Sequence, residues 1–435
     1  MRYELTDEFQ LVLDLLGVES PRLLFVTGSA GTGKSTLIDV LRDELDRNLV
    51  VVAPTGVAAL NVRGQTIHSF FQLPPGPQPR ARRIQGPGRD VIAKMDILVI
   101  DEVSMVRADL LDAIDDALRV NTGRRSAPFG GKAVLLIGDM HQLPPVIAGA
   151  EENRLFESSY ESPYFFSAMC LARQPLRTVT LTRSFRQSDE HFVSLLDNIR
   201  VGRDLEDTVV ALNESVGEVA DDPERRLVLT PVNVRARRFN EQQLARLPGR
   251  EWRYAGEVDG DWLENESQLP SPSDLRLKVD AQVMFTKNGP DWVNGTLGRV
   301  LDMDEESIEV ELVSEAHQGM IVGVERESWE RYRYNWDEKK SRVESEVVGS
   351  YTQFPFILAW AVTIHKAQGL TLDHINIDLG RGMFAPGQAY VALSRCRTLA
   401  GISFNRPLST ADVKSDPVIQ AFYRRIADDG SGQAV

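Results

Sequence analysis

The segment 23-LLFVTGSAGTGKS-35 decides the fold of this chain. It joins a short apolar run to a complete G-x-x-x-x-G-K-[ST] loop, and a helix-like stretch follows. The glycines let backbone N–H groups close around the β-phosphate of a nucleotide, and the N-terminus of the next helix adds its dipole. Lys34 can bridge the β- and γ-phosphates, and the Ser35 hydroxyl can ligate magnesium. The predicted nucleotide-binding residues of this segment are Gly28, Ser29, Ala30, Gly31, Thr32, Gly33, Lys34, Ser35 and Thr36.

Further apolar runs surround this segment in the order expected of an α/β protein. In the first 150 residues they alternate with helix-like stretches, and each ends in a loop rich in Gly, Pro, Asp or Ser. This βαβ alternation predicts a doubly wound parallel sheet with ligands at the carboxyl ends of its strands. A second α/β unit is predicted to begin near Val179. The predicted strands are 23–27, 49–53, 97–100 and 133–137 in the first unit, and 226–230, 375–378 and 402–404 in the second.

Two carboxylates follow the apolar run 97–100. Asp101 would hold the magnesium through water, and Glu102 would orient and deprotonate the attacking water. Taken alone, Asp-Glu after a strand is commonly a helix cap or a solvated turn. Together with the phosphate loop, the pair predicts hydrolysis of the nucleotide and not binding alone.

The run 133–137 ends in GDMHQLPP, which contains Gln142. This side chain could hydrogen-bond the γ-phosphate or the attacking water and so report which nucleotide is bound. The alternative is a polar loop stiffened by two prolines. The two preceding motifs favour the γ-phosphate sensor.

Two segments depart from the α/β pattern. Residues 72–89 are rich in Pro, Gly and Arg, which suits either a surface loop or a small projecting element that meets DNA. Residues 280–350 alternate short strands with turn residues, a pattern typical of a small β-barrel inserted into the second unit.

Length and composition restrict the class of protein. A chain of 435 residues suits two to four domains. It contains no apolar run long enough to span a membrane and starts without a signal-peptide pattern, so we expect a bacterial-type cytoplasmic protein. Cys170 and Cys396 lack metal-ligand spacing and are expected to be reduced thiols. A net charge of −14 argues against a protein that covers nucleic acid non-specifically, because such binding needs many basic side chains. It does not exclude a narrow basic channel.

At this point the motifs resemble those of a known family. GSAGTGKS, APTGVAALNVRGQTIHSFF, IDEVSM, GDMHQLPPV, LTRSFRQ, TIHKAQGLTL and YVALSRCRT follow the order of the superfamily 1 helicase motifs and are most similar to the Pif/RecD-like branch. The resemblance extends from about Leu5 to Leu408. It implies two RecA-like P-loop lobes with ATP between them, a wedge-like insertion in the first lobe, and an SH3-like barrel in the second. It also implies ATP- and Mg²⁺-dependent 5′-to-3′ translocation on single-stranded DNA with duplex or fork unwinding.

The implied domains are lobe 1 at 1–178 with its insertion at about 64–92, lobe 2 at 179–279 and 351–428, the barrel at 280–350, and a disordered tail at 429–435. A monomer is expected, with a DNA-induced dimer as the alternative. The chain lacks the long terminal extensions of many eukaryotic relatives. Motif V has Ala367 where serine is frequent, and Cys396 follows the motif VI arginine, but neither change removes a catalytic group.

The resemblance assigns further nucleotide contacts. Gln10 matches the glutamine that reads the adenine edge, and Gly369 matches the segment that links ATP state to DNA grip. Arg186 and Arg395 match two arginines that reach the γ-phosphate from the second lobe. A guanidinium suits the spreading charge of phosphoryl transfer, although each arginine by itself would be a surface ion pair.

The same resemblance assigns DNA contacts to loop residues that bind phosphates or stack on bases without reading sequence. Phe71 is expected in the core. Phe70 could be either a core residue or a DNA contact, and His68 could be either an ordinary loop histidine or a DNA contact. The implied DNA contacts are Pro54, Thr55, Gly56, Thr66, His68, Ser69, Phe70, Thr230, Pro231, Asn233, Asn294, Gly295, Thr296, His365 and Lys366.

Two rival functions remain open at this level. A DNA-stimulated ATPase that remodels protein–DNA complexes would consume ATP without separating strands. A P-loop kinase or nucleotide-gated binding module would not need Arg186, Arg395 or the second lobe.

Overall fold

The computed structural model describes residues 5–17, 23–74, 76–77, 80–147, 149–172, 174–187, 189–216, 227–262, 269–313, 319–380 and 382–430. Its helices are α1 (Asp7–Gly17), α2 (Lys34–Glu44), α3 (Gly56–Asn61), α4 (Ile67–Phe71), α5 (Pro87–Lys94), α6 (Ala108–Thr122), α7 (Gly149–Ser159), α8 (Glu190–Val201), α9 (Leu205–Ser215), α10 (Asn233–Arg246), α11 (Gln388–Leu393) and α12 (Pro417–Gly430). Its strands are β1 (Leu23–Gly28), β2 (Leu49–Ala53), β3 (Gln65–Thr66), β4 (Ile97–Ile100), β5 (Ala133–Ile137), β6 (Arg177–Leu181), β7 (Leu227–Thr230), β8 (Trp252–Ala255), β9 (Glu257–Gly260), β10 (Asp274–Leu277), β11 (Gln282–Phe285), β12 (Leu297–Met303), β13 (Ile308–Leu312), β14 (Ile321–Val324), β15 (Glu327–Asp337), β16 (Arg342–Gln353), β17 (Phe356–Leu358), β18 (Ala361–Thr363), β19 (Ile375–Ile377) and β20 (Ile402–Phe404).

The first lobe is built on a six-stranded parallel sheet in the order β3-β2-β4-β5-β1-β6. Strands β1, β2, β4 and β5 are almost wholly buried and coincide with the predicted apolar runs. Because the strands are parallel, the phosphate loop and the loops after β4 and β5 meet at one edge of the sheet. The first lobe extends further than predicted, since β6 pairs with β1 and the boundary at 178/179 therefore cuts a strand of this sheet.

The second lobe contains a four-stranded parallel sheet in the order β18-β7-β19-β20. Its strands β7, β19 and β20 match the three predicted strands to within one residue at each end. Helices α8, α9 and α11 contribute to its apolar core, which also takes in Ala30 and Leu143 from loops of the first lobe. The two lobes are therefore in contact at the phosphate loop.

The β-rich insertion occupies more of the chain than the predicted segment 280–350. It consists of the five-stranded antiparallel sheet β14-β13-β12-β11-β17, the pair β10-β8 and the three strands β15-β16-β9, so its strands run from Trp252 to Leu358. A separate apolar core holds the five-stranded sheet together.

The hairpin β15–β16 of this insertion reaches the first lobe. The Tyr334 hydroxyl accepts a hydrogen bond of 3.1 Å from the backbone N–H of Val51 in β2, and its ring meets Phe70 edge-on. Near the hairpin tip, the ammonium group of Lys94 lies 5.2 Å from the ring centroid of Trp336. The insertion is thus docked on the edge of the first sheet by mixed polar and aromatic contacts.

The helix α12 crosses back to the first lobe. The Phe422 ring stacks on Phe166 with ring centroids 4.0 Å apart, and Ile419 and Phe422 are part of the core that covers one face of the first sheet. This placement corrects the assignment of 351–428 to the second lobe. The helix also continues to Gly430, so the predicted disordered tail starts too early, and its remainder, 431–435, lies outside the described residues.

The predicted wedge at 64–92 is only partly a projection. Strand β3 and helix α4 belong to the first sheet and its core, and the loop after them is anchored where buried Ile84 donates its N–H to Asn121 Oδ1 at 2.7 Å. Arg80, Arg82 and Arg83 are exposed in this loop.

None of the described helices is long and apolar enough to cross a membrane. Cys170 and Cys396 are both free thiols.

Candidate functional site

The phosphate-binding loop between β1 and α2 has the conformation its glycines predict. Gly31 and Gly33 have φ angles of 82° and 84°, in the left-handed region where a side chain would be strained. Lys34 Nζ donates to the carbonyl oxygens of Gly28 and Ser29 at 2.9 and 2.8 Å, so it lies inside its own loop. Burial lowers the pKa of Lys34, which makes the ammonium a strong partner for an entering anion.

The two carboxylates after β4 lie close to this lysine. The pKa of Asp101 is raised to about 7, by burial first and by the neighbouring charge of Glu102 second. Burial also raises the pKa of Glu102, while Lys34 and Arg395 oppose the increase. Glu102 has a φ of 49°, which is uncommon for a residue with a side chain and aims it away from the preceding strand.

A glutamine that sequence reasoning did not select joins two predicted catalytic residues. Gln368 Nε2 donates to Glu102 Oε2 at 3.0 Å and to Gln142 Oε1 at 3.1 Å. Gln368 is carried by the second lobe, whereas its two acceptors belong to the first. The only signal in the sequence was its position beside Gly369 in the segment TIHKAQGL.

The two predicted arginines lie at the same seam. Arg186 NH1 donates to Ser394 O at 3.1 Å, and NH2 donates to Gly369 O at 3.2 Å. A Cβ atom built on Gly31 would lie 2.5 Å from Cβ of Arg186, so this arginine is packed directly on the phosphate loop. Arg186 follows β6 of the first sheet, and its predicted origin in the second lobe is corrected to the connection between β6 and α8.

Arg395 is 1% exposed and lies just beyond the end of α11. Its Nε donates to Val391 O at 2.8 Å, and NH2 donates to Ser394 Oγ at 2.8 Å. The pKa of Arg395 is lowered to about 9, by burial first and by the nearby charge of Arg186 second. Two arginines and Lys34 beside one loop form a site whose electrostatics favour a polyanion.

Aromatic side chains border the other end of the phosphate loop. Phe9 of α1 approaches Gly33, and the ring of Phe185, which is 49% exposed, lies on the same glycine. Gln10 is exposed beside Phe9, and its amide donates to Asp14 Oδ1 at 2.8 Å. Phe185 was missed by sequence reasoning, and the only signal was its position next to Arg186. The guanidinium carbon of Arg183 lies 4.9 Å from the centroid of this ring, so the exposed aromatic side chain already has a cation against it.

The first-lobe residues predicted to bind DNA lie together after β2 and around β3. The prediction is wrong for one of them, Phe70. Phe70 is buried, packs edge-on against Phe71 and Tyr334, and is a core residue as is Phe71. The hydroxyls of Thr55 and Thr66 accept hydrogen bonds from backbone N–H groups at the starts of α3 and α4. Pro54, His68 and Ser69 are half-buried in the same region, and Gly56 is buried.

The second-lobe residues predicted to bind DNA fall into an exposed group and a largely buried group. Asn233, His365 and Lys366 are exposed. In contrast, Thr230 is 1% exposed, and its buried hydroxyl has no hydrogen-bond partner among the described residues. Pro231, Gly295 and Thr296 are also buried, and Asn294 is half-buried. The buried residues of this set shape the loops and do not present their side chains to a strand in this arrangement.

The β-rich insertion covers part of the first-lobe group. Gly56, Thr66 and Ser69 line a small cavity whose opposite wall contains Trp262 and Arg331. Arg331 NH2 also donates to Ser69 Oγ at 3.2 Å. The docked insertion therefore occupies space next to the residues predicted to hold DNA.

Comparisons with known proteins agree on one family. Residues 3–209 match the family model "PIF1-like helicase". The chain is 34% identical to the ATP-dependent DNA helicase Pif1 of Bdellovibrio bacteriovorus, over 97% of this chain and 92% of that protein. It is 34% identical to the human ATP-dependent DNA helicase PIF1 over 92% of this chain, but spans only 60% of the human protein's length.

Solved structures give the same picture and add a distinction. Bacteroides sp Pif1 in complex with ADP-AlF4 matches with a TM-score of 0.89 at 34% identity, over 98% of both chains. The Bacteroides Pif1 structure bound to ssDNA has the same identity and the same coverage, but its TM-score is 0.70. The arrangement of this chain is thus more similar to the first of these forms than to the second.

Proposed function

This chain belongs to the PIF1-like helicase family, and we propose that it is an ATP-dependent DNA helicase that moves 5′-to-3′ along single-stranded DNA and unwinds duplex or structured DNA. The observation that carries the proposal is the meeting of Lys34, Glu102, Arg186 and Arg395 at one seam between two lobes. Lys34 and the group that activates water come from the first lobe, and Arg395 comes from the second. A site built this way changes when the lobes move, which a motor requires.

ATP binds with its phosphates on the loop 28–35. Lys34 exchanges its own loop carbonyls for phosphate oxygens, and the N–H groups at the start of α2 complete the cradle. Gln10 contacts the adenine edge, and the base lies beside the exposed Phe185 side chain. The full set of nucleotide contacts is Gln10, Gly28, Ser29, Ala30, Gly31, Thr32, Gly33, Lys34, Ser35, Thr36, Gln142, Arg186, Gly369 and Arg395.

Ser35 and Asp101 would hold Mg²⁺. The residues fit this ion, since hydroxyl and carboxylate oxygens are hard ligands and Asp101 is a buried carboxylate at the end of the strand beside the phosphate loop. When bound, the ion neutralises charge on the β- and γ-phosphates.

Hydrolysis uses groups on both sides of the seam. Glu102 takes the proton of the attacking water, and Gln142 fixes that water against the γ-phosphate. Arg186 and Arg395 neutralise the charge that spreads over the γ-phosphate oxygens. Loss of the γ-phosphate then removes the anion that holds the two arginines against the loop, and the lobes relax.

DNA passes over the loops of both lobes. His68 with Pro54, Thr55, Gly56, Thr66 and Ser69 grips the strand from the first lobe. Asn233, His365 and Lys366 grip it from the second, with the loop 294–296 and Thr230-Pro231 shaping that side. Phe70 supports the first group from the core. Since different ATP states set different lobe spacings, the two groups alternate between strong and weak contact.

The β-rich insertion leaves its docked position when DNA enters. Arg331 and Trp262 border the first-lobe DNA group in the docked state, and the similarity to the DNA-bound relative is lower than to the ADP-AlF4 form. One copy of the chain is sufficient for translocation, and a second copy joins at forks. A solved structure of Pif1 concerns DNA unwinding at forked dsDNA by two coordinating Pif1 helicases.

Unwinding of tailed duplexes tests the proposal. The substrates are a fluorescent duplex with a 5′ single-stranded tail, its 3′-tailed counterpart and a fork, each with ATP and magnesium. Strand separation on the 5′-tailed duplex and fork but not the 3′-tailed duplex is expected, and Glu102→Gln is the control. ATP consumption without strand separation favours a remodelling ATPase, and turnover that ignores single-stranded DNA favours a P-loop kinase or binding module.

A further inference from the structure

One tyrosine hydroxyl joins the phosphate loop to the loop that carries Gln142. Tyr390 belongs to α11 of the second lobe, and its Oη accepts a hydrogen bond of 2.8 Å from the backbone N–H of Ala30. The same hydroxyl donates to Asp139 Oδ2 at 3.2 Å. Both bonds are buried. A single side chain of the second lobe therefore contacts two catalytic loops of the first.

Asp139 is held from its other side by a second residue of the second lobe. Arg200 in α8 places Nε 3.2 Å from Asp139 Oδ2 and NH2 3.0 Å from Oδ1. Burial by itself would raise the pKa of Asp139, but the charge of Arg200 outweighs burial and holds this pKa at about 2. The aspartate is therefore an ionised acceptor, which strengthens its bond to the Tyr390 hydroxyl.

The helix that carries Tyr390 also sets the position of Arg395. Arg395 Nε donates to the carbonyl oxygen of Val391, the residue that follows Tyr390. A shift of α11 relative to the phosphate loop would move the tyrosine and the arginine together.

We infer that Tyr390 is a positioning residue for ATP hydrolysis, whose hydroxyl fixes α11 against the phosphate loop so that Arg395 meets the γ-phosphate at the correct distance. The inference rests on the proposed ATPase activity of the same cleft. Tyr390 acts through Arg395 and not through ATP affinity, so its removal changes kcat and leaves KM for ATP unchanged.

The test is Tyr390→Phe in the full chain, assayed for ATP turnover with saturating single-stranded DNA. We expect kcat to fall about tenfold while KM for ATP stays within about twofold, because misplacing a catalytic group affects the transition state more than binding. The matched control is Tyr160→Phe, whose hydroxyl donates to Asp112 Oδ2 at 3.0 Å within the first lobe. This control is expected to keep the wild-type kcat.

A double-mutant cycle with Arg395→Ala identifies the residue through which Tyr390 acts. If the tyrosine only positions Arg395, adding Tyr390→Phe to Arg395→Ala changes kcat by less than about twofold. The inference is overturned if Tyr390→Phe retains the wild-type kcat, if KM rises in parallel with the loss of kcat, or if the two losses multiply.

Arg200→Lys is a second variant that reaches the same contact from the opposite side and covers the case in which Tyr390→Phe does not fold. It keeps the charge beside Asp139 but removes the second donor, and a smaller loss confined to kcat is expected. A wild-type chain without DNA-stimulated turnover would reject the proposed function itself. A fully active wild type with an unaffected Tyr390→Phe and Arg200→Lys would reject this inference alone.

Discussion

Gln368 Nε2 lies 3.0 Å from Glu102 Oε2 and donates a hydrogen bond to it across the seam between the lobes. The same nitrogen donates to Gln142 Oε1 at 3.1 Å. One amide thus orients both the residue assigned to deprotonate water and the residue assigned to hold it. Since Gln368 precedes Gly369 and follows the exposed pair His365-Lys366, this amide links the segment predicted to face DNA to the residues predicted to hydrolyse ATP.

Gln368→Ala is expected to lower DNA-stimulated kcat about tenfold, a fraction of what a positioned general base contributes. KM for ATP should not change, because Gln368 contacts the catalytic side chains and no part of the phosphate loop. Steady-state turnover across ATP concentrations measures both constants. Gln242→Ala, an exposed glutamine of α10, is the control. Equal losses in the two variants would disprove the positioning role.

Glu102→Gln is expected to reduce turnover at least about a hundredfold, since the amide cannot accept the proton of the attacking water. ATP affinity should be retained because Lys34 and the loop amides remain. Binding of a fluorescent ATP analogue, measured beside turnover, separates the two effects. Turnover close to that of the wild type would refute the assignment of Glu102 as the base.

Arg186→Ala is expected to lower kcat about a thousandfold, in line with the loss of an arginine that neutralises transition-state charge. ATP binding should be largely intact. Arg253→Ala, an arginine 64% exposed in the β-rich insertion, serves as the matched control for turnover. A variant that loses ATP binding and turnover together would instead place Arg186 in ground-state binding.

His141 gives stability a dependence on pH. Burial lowers its pKa to about 4, and its ring stacks on Tyr423 with centroids 4.7 Å apart. In the unfolded chain this histidine has the ordinary pKa of about 6.5, so below that pH it binds a proton that the folded chain does not bind. Neutral His141 therefore contributes its full share to the free energy of unfolding above about pH 6.5. This contribution, on the order of 3 kcal/mol, is lost as the pH falls toward about 4. Urea unfolding of wild type and His141→Gln at several pH values measures it, and identical pH slopes would exclude this origin.

Tyr334→Phe is expected to strengthen binding to single-stranded DNA by up to about fivefold. The variant loses the bond to the Val51 N–H, which is worth roughly 1 kcal/mol, and so weakens the docked arrangement that competes with DNA. Fluorescence anisotropy with a labelled oligonucleotide measures the change. Tyr254→Phe removes a hydroxyl bonded to Asp304 O within the insertion and should leave affinity unchanged. Weaker binding by Tyr334→Phe would contradict the docking model.

Much of the α/β architecture and its nucleotide site could be predicted because their signals are local. A buried parallel strand is a short apolar run, and the residues that follow such strands fall at the same edge of the sheet. This rule predicts that Lys34, Glu102 and Gln142 lie together. The family resemblance added Arg186 and Arg395, whose neighbourhood no local pattern specifies.

The features that sequence reasoning missed depend on contacts between distant segments. The pairing of β6 with β1 and the return of α12 to the first lobe join residues that are separated by more than a hundred positions along the chain, and neither leaves a local pattern. The family resemblance implies a DNA contact for Phe70 with a core position as the alternative, and the structure shows the core position, because α4 turns this ring inward onto Tyr334. The role of Gln368 could not be predicted from local sequence, because its hydrogen-bond partners Glu102 and Gln142 lie in distant segments of the chain.

The packing of Phe422 into the first lobe has a consequence for synthesis on the ribosome. The patch of the first-lobe core against which this ring packs contains Phe25, Phe165 and Phe166, and it cannot be covered until residues 417–430 have left the exit tunnel. This apolar patch therefore stays exposed while the second lobe and the β-rich insertion are translated. Chaperone engagement during elongation should concentrate on this patch and end when α12 packs on it.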